Sequence, residues 1–362
     1  MTGTTTPIRF GIVGSGWRSE FFQRIAKALP ERFEVTGVVT RSAERGRAVE
    51  EAWDVPTYRT VEELVATRPK FVVVSVPREQ APATMIRLTE LGMPALTETP
   101  PSLDAESSEP LHRLVADGAI LQVAEQYHLS PLLRAQLAVA ASGRLGTISQ
   151  VLVGQCHDYH GISILRRALG VTFEDATITA SLFRSPLAQG PDRTGDPTEE
   201  RSVTAEQLTA RLSFGEDRLG VYDFSGAQYF SWIRRNRLLV RGERGEISDL
   251  EVSYLQDFRT PMFGTIRRVE AGQGGNLEGQ FLRGLILGDE WVFTNRFLPG
   301  RLSDDEIAIA ECLARMSEHV DGGLPFYSLA EACQDNYLAL LMQEAARTGR
   351  SVQSRPQVWS GA

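Results

Sequence analysis

The sequence predicts an α/β protein whose first third forms a doubly wound parallel sheet of the Rossmann type. In this region, short apolar runs alternate with helical patterns, and a glycine-rich turn follows the first run. The β-branched run at 71–76 is typical of a strand buried on both faces of a parallel sheet. Repeated strand–helix alternation predicts right-handed crossovers between parallel strands.

Local signals set the order of the elements in this domain. Pro30 ends the first helix, Ser42 and Thr60 are predicted helix caps, and Gly92 and Gly118 close later helices. The predicted strands are 8–13, 33–40, 71–76, 94–97 and 120–123, and the predicted helices are 18–29, 42–53, one beginning at 60, 81–91 and 106–116.

The rest of the chain predicts a second domain with half-exposed strands. At about 150 residues per domain, 362 residues indicate two domains, predicted at 1–124 and 125–362. Apolar and polar residues alternate at 171–183 and 204–214, as they do in a sheet with one solvated face. Further strands are predicted at 148–156, 219–224 and 238–241, helices at 162–169, 304–316 and 329–347, and mobile loops at 184–201 and 259–278.

Composition excludes several classes of protein. The net charge of −8 argues against nucleic-acid binding. No stretch approaches 18 consecutive apolar residues, so no membrane span is expected, and residues 1–7 lack the pattern of a signal peptide. Three widely spaced cysteines favour buried, reduced thiols in a cytoplasmic protein. Lysine occurs only at Lys27 and Lys70, which limits any mechanism that needs a catalytic lysine.

The turn Gly14-Ser15-Gly16 predicts a dinucleotide site. Gly14 permits a tight turn, Gly16 lets the backbone approach a pyrophosphate, and the following helix offers N–H groups with a partial positive charge. Ser19 replaces the usual third glycine or alanine but is still small. Because a strand precedes the pattern and a helix follows it, the signal is specific.

The end of the second strand favours NADP(H) slightly over NAD(H). Thr40, Arg41 and Ser42 stand where NAD-specific proteins carry a carboxylate for the ribose hydroxyl. All three can donate hydrogen bonds to a 2′-phosphate, which a carboxylate would repel. The alternative is that Arg41 is a solvated surface residue and that NAD is used without selectivity.

Motifs spread over nearly the whole chain resemble the glucose-fructose oxidoreductase, inositol dehydrogenase and MocA family. The resemblance implies an α+β second domain with an open, largely antiparallel sheet, and hydride transfer between NAD(P) and a carbinol or ketone carbon of a sugar, cyclitol or glycoside. It also implies a homodimer or homotetramer. The motifs are the turn at 11–19, Thr97-Glu98-Thr99-Pro100-Pro101, residues 125–131 and 142–146, the strand and turn at 240–247, and the closing stretch 344–352.

The chain departs from this family where the family carries a catalytic lysine. Members usually have Glu-Lys-Pro after the fifth strand, and here Thr99 stands in the lysine's place. In this fold Lys27 and Lys70 are expected far from the nicotinamide. His160 matches the family's histidine near the substrate, but Ser163 replaces the aspartate three residues on.

Three histidines between residues 128 and 160 therefore become the candidates for proton transfer. Histidine titrates near neutral pH, so we predict His160 as general acid/base. Tyr159, His157 and Asp158 are expected to orient or bind substrate, Tyr127 and His128 to line the same pocket, and Tyr229 or Trp232 to stack on a sugar ring. A helix-cap or core role is the alternative for each histidine, and core packing the alternative for the two stacking residues. The predicted cofactor contacts are Gly11, Gly14, Ser15, Gly16, Trp17, Arg18, Thr40, Arg41, Ser42, Val76, Pro77, Glu98, Thr99 and Gln126.

Three other hypotheses remain open. His157 and His160 with Glu125, His128 or Asp158 offer imidazole and carboxylate ligands that suit a metal ion, but no stretch has a specific metal spacing, so no metal is predicted. A glycosidase that retains its nicotinamide and uses transient oxidation and elimination would release no NAD(P)H. A non-catalytic dinucleotide-sensing regulator would explain the missing lysine but not the histidine cluster.

Overall fold

The computed structural model describes residues 6–272 and 281–360. Its first sheet has six parallel strands in the order β3-β2-β1-β4-β5-β6, which confirms the predicted doubly wound topology. The strands are β1 (Ile8–Val13), β2 (Phe33–Val39), β3 (Thr57–Tyr58), β4 (Phe71–Val74), β5 (Ala95–Thr97) and β6 (Leu121–Val123). The helices between them are α1 (Ser19–Ala28), α2 (Ala43–Trp53), α3 (Val61–Val65), α4 (Ala81–Glu90) and α5 (Ala105–Ala116).

Local sequence explains these elements. All four residues of β4 are buried, as expected for a strand covered on both faces. The Ser42 hydroxyl accepts a hydrogen bond from the Arg45 N–H at 3.2 Å, and Thr60 forms a capping box with Glu63, so both predicted caps are present. The strand order reverses between β1 and β4, and ligands bind beside the carboxyl ends of the strands at such a point.

Among the described residues, the second sheet has eleven strands in the order β16-β15-β14-β13-β12-β11-β7-β10-β9-β8-β17, and only β7 and β10 pair in parallel. Its strands are β7 (Ile148–Gly154), β8 (Thr177–Ala188), β9 (Ser202–Phe214), β10 (Arg218–Phe224), β11 (Arg237–Gly242), β12 (Gly245–Ser248), β13 (Glu251–Leu255), β14 (Pro261–Ala271), β15 (Phe281–Leu287), β16 (Glu290–Thr294) and β17 (Val352–Gln353). The remaining helices are α6 (Pro131–Ala141), α7 (Asp158–Leu169), α8 (Asp304–Val320) and α9 (Leu329–Thr348), with short 3-10 helices at Tyr127–Leu129 and Gly226–Tyr229.

One face of this sheet is covered by helices and the other is open. Helix α7 packs against β7 and β10, and α9 packs against β8. On β8, Ile178 is buried. Phe183 is an odd number of residues away, so it points to the opposite face of the sheet, where it is 65% exposed. An open sheet face agrees with the expected homo-oligomer, which stays a prediction.

Strands extend into both of the predicted mobile loops. Residues 184–188 continue β8 and pair with β9, where Ala188 lies opposite Ser202. Within 259–278, residues 261–271 form β14, which pairs with both β13 and β15, and residues 273–280 lie outside the described residues. The polar composition was misleading here because backbone pairing, not side-chain burial, holds these exposed strands. Conversely, the strand predicted from 171 begins only at Thr177.

The helices near the C-terminus connect the two sheets. Helix α8 contacts α1 and β4, and α9 contacts α5 and β6, so the last part of the chain closes one side of the parallel sheet. We propose that the boundary between the two domains lies after residue 124. Within the described ranges, no helix is long and apolar enough to cross a membrane.

Candidate active site

The glycine turn after β1 has the shape that a dinucleotide pyrophosphate requires. Gly14 has φ = +112°, and a Cβ there would overlap the carbonyl oxygen of Ser75. A Cβ on Gly16, by contrast, would meet no protein atom within 4 Å, so open space adjoins its backbone. The Ser19 hydroxyl donates to the Gly16 carbonyl oxygen at 2.6 Å and fixes the turn against α1.

A cavity of about 1560 Å³ extends from this turn to the start of α7. It begins at the carboxyl ends of β1, β2, β4 and β5 and ends beside the second sheet, at Gln155 after β7 and Tyr229 after β10. Among the predicted cofactor contacts, those that line it are Gly14, Ser15, Gly16, Trp17, Arg18, Thr40, Arg41, Val76, Pro77, Glu98, Thr99 and Gln126. The predicted substrate and catalytic residues that line it are Tyr127, His157, Tyr159, His160 and Tyr229.

Two predicted cofactor contacts lie outside the cavity wall. Gly11 is buried in β1, with the Leu64 side chain 2.8 Å from where a Cβ would stand, so its role is close packing within the sheet. Ser42 uses its hydroxyl as the cap of α2. Both residues were predicted near the ligand, but Gly11 is covered by Leu64 and the Ser42 hydroxyl is engaged by the Arg45 N–H.

Two further arginines join Arg41 at the end of β2. The Arg41 guanidinium donates to Gln80 Oε1 at 3.0 Å, Arg45 donates to the Ser15 hydroxyl at 3.3 Å, and Arg59 donates to the Tyr58 carbonyl oxygen at 2.9 Å. All three line the cavity, and in the described part of the chain none lies within 4.0 Å of a carboxylate. This end of the cavity therefore presents three guanidinium groups, which favour a ligand rich in phosphate.

An ion pair stands where β5 meets the cavity. Arg18 Nε lies 2.9 Å from Glu98 Oε1, and Asp305 on α8 lies 3.8 Å from the same guanidinium. Burial disfavours the charge on Arg18, but the two carboxylates outweigh it and raise the pKa of the guanidinium. Arg18, the N-cap residue of α1, thus holds Glu98 in place.

Thr99 lies on the cavity wall, at the position where the family named in the sequence analysis carries lysine in its Glu-Lys-Pro motif. The Tyr159 hydroxyl donates to the Thr99 carbonyl oxygen at 3.4 Å, so a phenol reaches this part of the wall. Burial raises the pKa of Tyr159, which keeps the phenol protonated at neutral pH. Neither lysine is nearby: Lys27 lies over the Trp53 ring, and Lys70 binds Ser317 and Asp321 at 2.7 and 2.6 Å.

His157 is the N-cap of α7 and His160 lies in its first turn, whereas the sequence suggested that both precede the helix. The His160 ring is enclosed by aromatic rings, with centroid distances of 4.5 Å to Tyr127, 4.4 Å to Tyr159 and 4.8 Å to His157. Its Nδ1 lies 2.5 Å from Oε2 of Glu125, a carboxylate that is fully buried. His160 therefore has one ring nitrogen engaged by protein and lies on the cavity wall.

His157 is bound differently. Its backbone N–H donates to the Tyr229 hydroxyl at 3.0 Å, and its Nδ1 lies 2.5 Å from the same oxygen, so the phenol donates to Nδ1. Burial and the nearby His160 lower the pKa of His157 to about 4. His157 is therefore neutral at pH 7 and serves as an acceptor that orients Tyr229.

Three predicted substrate contacts do not line the cavity. His128 faces the core, 5.6 Å from the Tyr327 ring, and burial with nearby arginines lowers its pKa. Asp158 has φ = +42°, and its backbone N–H donates to Tyr222 at the start of α7. Trp232 is 68% exposed on the surface. The structure does not bring these three residues onto the cavity wall, because proximity in sequence does not determine which way a turn or helix directs each side chain.

The structure also places residues on the wall that the sequence reasoning did not single out. Arg193, in the connection between β8 and β9, lies over the Trp17 ring at 4.0 Å. Asp305 and Asn236 complete the wall from α8 and from the segment before β11. In the ranges 6–272 and 281–360 no group of three or more His, Cys, Asp or Glu side chains is arranged to hold a metal ion.

The parallel sheet, its glycine turn and the adjoining cavity define a dinucleotide-binding Rossmann protein. Residues 8–125 match the family model GFO_IDH_MocA, described as an oxidoreductase family with an NAD-binding Rossmann fold. This match covers the parallel-sheet domain and agrees with the family resemblance that the sequence motifs carry. No curated protein sequence matches the chain.

Solved structures share the whole fold at low sequence identity. Levoglucosan dehydrogenase in complex with NADH and levoglucosan has a TM-score of 0.69 and 16% identity, over 96% of this chain and 99% of that one. An Agrobacterium radiobacter oxidoreductase bound to NAD⁺, L-tartaric acid and magnesium has a TM-score of 0.68 and 16% identity, over 96% and 98%. Myo-inositol 2-dehydrogenase from Lactobacillus plantarum has a TM-score of 0.66 and 14% identity, over 96% and 100%. At these identities, the likeness establishes the fold alone.

Proposed function

We propose that this protein is an NAD(P)-dependent oxidoreductase that acts on a carbinol or ketone carbon of a sugar, cyclitol or glycoside, with His160 as general acid/base. The observation that carries this proposal is the single cavity that joins the Gly14–Gly16 turn to His160. A dinucleotide site alone fits a sensor equally well. A histidine with a buried carboxylate partner in the same cavity supplies the proton-transfer group that a sensor does not need.

The residues present fit a nicotinamide dinucleotide. The space beside Gly16, the turn at Gly14 with its positive φ and the start of α1 form a cradle for a pyrophosphate. The buried Gln126 Oε1 has no partner in the described structure and lies on the wall beyond the turn, where an amide N–H would satisfy it. When bound, a nicotinamide would supply the acceptor or donor of hydride.

The proposed preference for NADP(H) rests on charge. Arg41, Arg45 and Arg59 converge on the end of β2, and no carboxylate occupies the usual ribose position. A 2′-phosphate adds negative charge and acceptor oxygens at this point, which guanidinium groups bind well. NAD(H), the cofactor named for several structural neighbours, would leave this charge unused.

The other side of the cavity suits a polyhydroxylated substrate. Tyr127, Tyr159 and Tyr229 give it aromatic faces and hydroxyls, and Asn236 adds an amide. Burial raises the pKa of Tyr127, so its phenol stays neutral and acts by hydrogen bonding. His160 would accept the proton of the substrate hydroxyl in oxidation and return it in reduction. The dehydrogenases of levoglucosan and myo-inositol among the neighbours support this class of substrate.

A substrate panel tests the proposal. Purified protein is incubated with NADP⁺ or NAD⁺ and with hexoses, cyclitols and glycosides, and absorbance is followed at the NAD(P)H band. We expect net NAD(P)H formation with at least one member, which a glycosidase that only oxidises its substrate transiently would not give. Tight dinucleotide binding with no turnover on any member, in either direction, would favour the sensor.

A further inference from the structure

Glu125 has no role in the proton transfer described so far, yet it lies in buried contact with His160. It lies two residues after the end of β6, and its side chain is fully buried. One carboxylate oxygen, Oε2, lies 2.5 Å from His160 Nδ1, and the other, Oε1, accepts a hydrogen bond from the Tyr127 N–H at 3.0 Å. Both oxygens are thus committed to groups on the cavity wall. A buried carboxylate is costly unless it is paired in this way.

This contact selects one tautomer of the imidazole. An ionised carboxylate can only accept, so the proton must lie on Nδ1 of a neutral His160. The lone pair is then on Nε2, the nitrogen that Glu125 does not engage. The opposite tautomer would place two acceptors 2.5 Å apart in the core. Carboxylate partners fix histidine in this manner in hydrolases and metal sites.

We propose that Glu125 is a positioning residue that holds His160 with Nε2 free to take the substrate's proton. The pair of Glu125 and His160 would then serve in place of the missing lysine. The inference rests on the proposed function. In oxidation, the substrate O–H bond breaks and its proton goes to Nε2, while the carbinol hydrogen leaves with both electrons as the hydride transferred to oxidised nicotinamide, and a C=O bond forms. Glu125 stays ionised and stabilises the imidazolium. In reduction, the same proton returns to the oxygen.

The other groups around His160 do not supply this interaction. His157, on the same helix, is neutral at pH 7 because burial lowers its pKa to about 4. Tyr127 and Tyr159 are kept protonated by burial, which raises the pKa of both phenols. Asp305 faces His160 from α8, but it adjoins Arg18. Glu125 is the carboxylate that hydrogen-bonds the ring in the described structure.

The test compares Glu125→Gln with Glu125→Asp and with Glu311→Gln, which removes an equally buried carboxylate outside the cavity wall. Imidazole ¹⁵N NMR on histidine-labelled protein reads the tautomer without any substrate. We expect Nδ1–H in the wild type and in Glu311→Gln, a mixture in Glu125→Gln, and partial recovery in Glu125→Asp. Thermal unfolding and the NADPH dissociation constant report whether each variant is folded.

Kinetics with the best substrate of the panel provide the second readout. We expect kcat of Glu125→Gln to fall about 100-fold, within the usual range for loss of acid–base assistance.

The results separate this inference from the proposed function. A neutral wild-type His160 with its proton on Nε2 would overturn the inference, as would a Glu125→Gln variant with unchanged kcat. A wild type with the Nδ1–H tautomer that Glu125→Gln disrupts, but without turnover on any sugar, would support the positioning role and refute the proposed oxidoreductase.

Discussion

Replacing Arg41 by alanine should weaken NADPH binding much more than NADH binding. The Arg41 guanidinium lies on the cavity wall at the end of β2 and donates to Gln80 Oε1 at 3.0 Å. Among the described residues no carboxylate neutralises it. Its charge is therefore free to bind a 2′-phosphate, and NADH has no group at that position.

The size of the effect follows from the exposure of Arg41. A hydrogen bond to a charged group contributes about 1.5–3 kcal/mol, and solvent screening at an exposed site favours the lower end. About 1.4 kcal/mol corresponds to a tenfold change in dissociation constant. We therefore expect Arg41→Ala to raise the NADPH constant about tenfold and the NADH constant less than twofold.

Titration of nicotinamide fluorescence at fixed ionic strength measures both constants. Arg113→Ala is the matched control, because this exposed arginine on α5 pairs with Glu109 and lies away from the cavity. The reasoning is refuted if the wild type binds NADH more tightly than NADPH and Arg41→Ala leaves the ratio of the two constants unchanged.

Three other predictions concern the turn, the buried histidines and the connection between β8 and β9. Gly16→Ala should raise the dinucleotide dissociation constant at least tenfold while the melting temperature stays unchanged, because its Cβ would meet ligand and no protein atom within 4 Å; a lower melting temperature would contradict this. His157 and His128 have lowered pKa values, so the unfolded state binds more protons and stability should fall as pH drops from 6.5 toward 4. Urea unfolding across this range should show a shallower decline for His128→Asn than for the wild type, and equal slopes would count against it. Arg193→Ala should weaken dinucleotide binding several-fold and reduce the change in Trp17 fluorescence on binding, because the arginine stacks on that ring beside the turn; an unchanged titration would show that the connection does not contact the ligand.

The parallel sheet was predictable because its signals are local. The glycine turn, the run of β4 and the caps at Ser42 and Thr60 each act over a few residues. In the second sheet, long strands such as β8 and β14 carry polar and glycine-containing stretches whose order comes from pairing with neighbours. Composition alone therefore underestimated them.

The site was only partly predictable, because its key contacts connect residues far apart in sequence. His160 could be singled out by its residue type, but its partner Glu125 lies 35 residues away on another element. Arg45 and Arg59 reach the end of β2 from α2 and from the segment after β3. No pattern in the sequence shows that their side chains converge there, since packing of separate elements decides it.

The central claim is that His160 transfers the substrate's proton in a cavity shared with the dinucleotide. Its most direct test is the turnover of His160→Asn on the best substrate of the panel, with NADPH affinity measured on the same preparation. Loss of general acid–base assistance predicts a fall in kcat of about 10²–10⁴-fold with NADPH affinity within twofold of the wild type. Full turnover by His160→Asn would contradict the account.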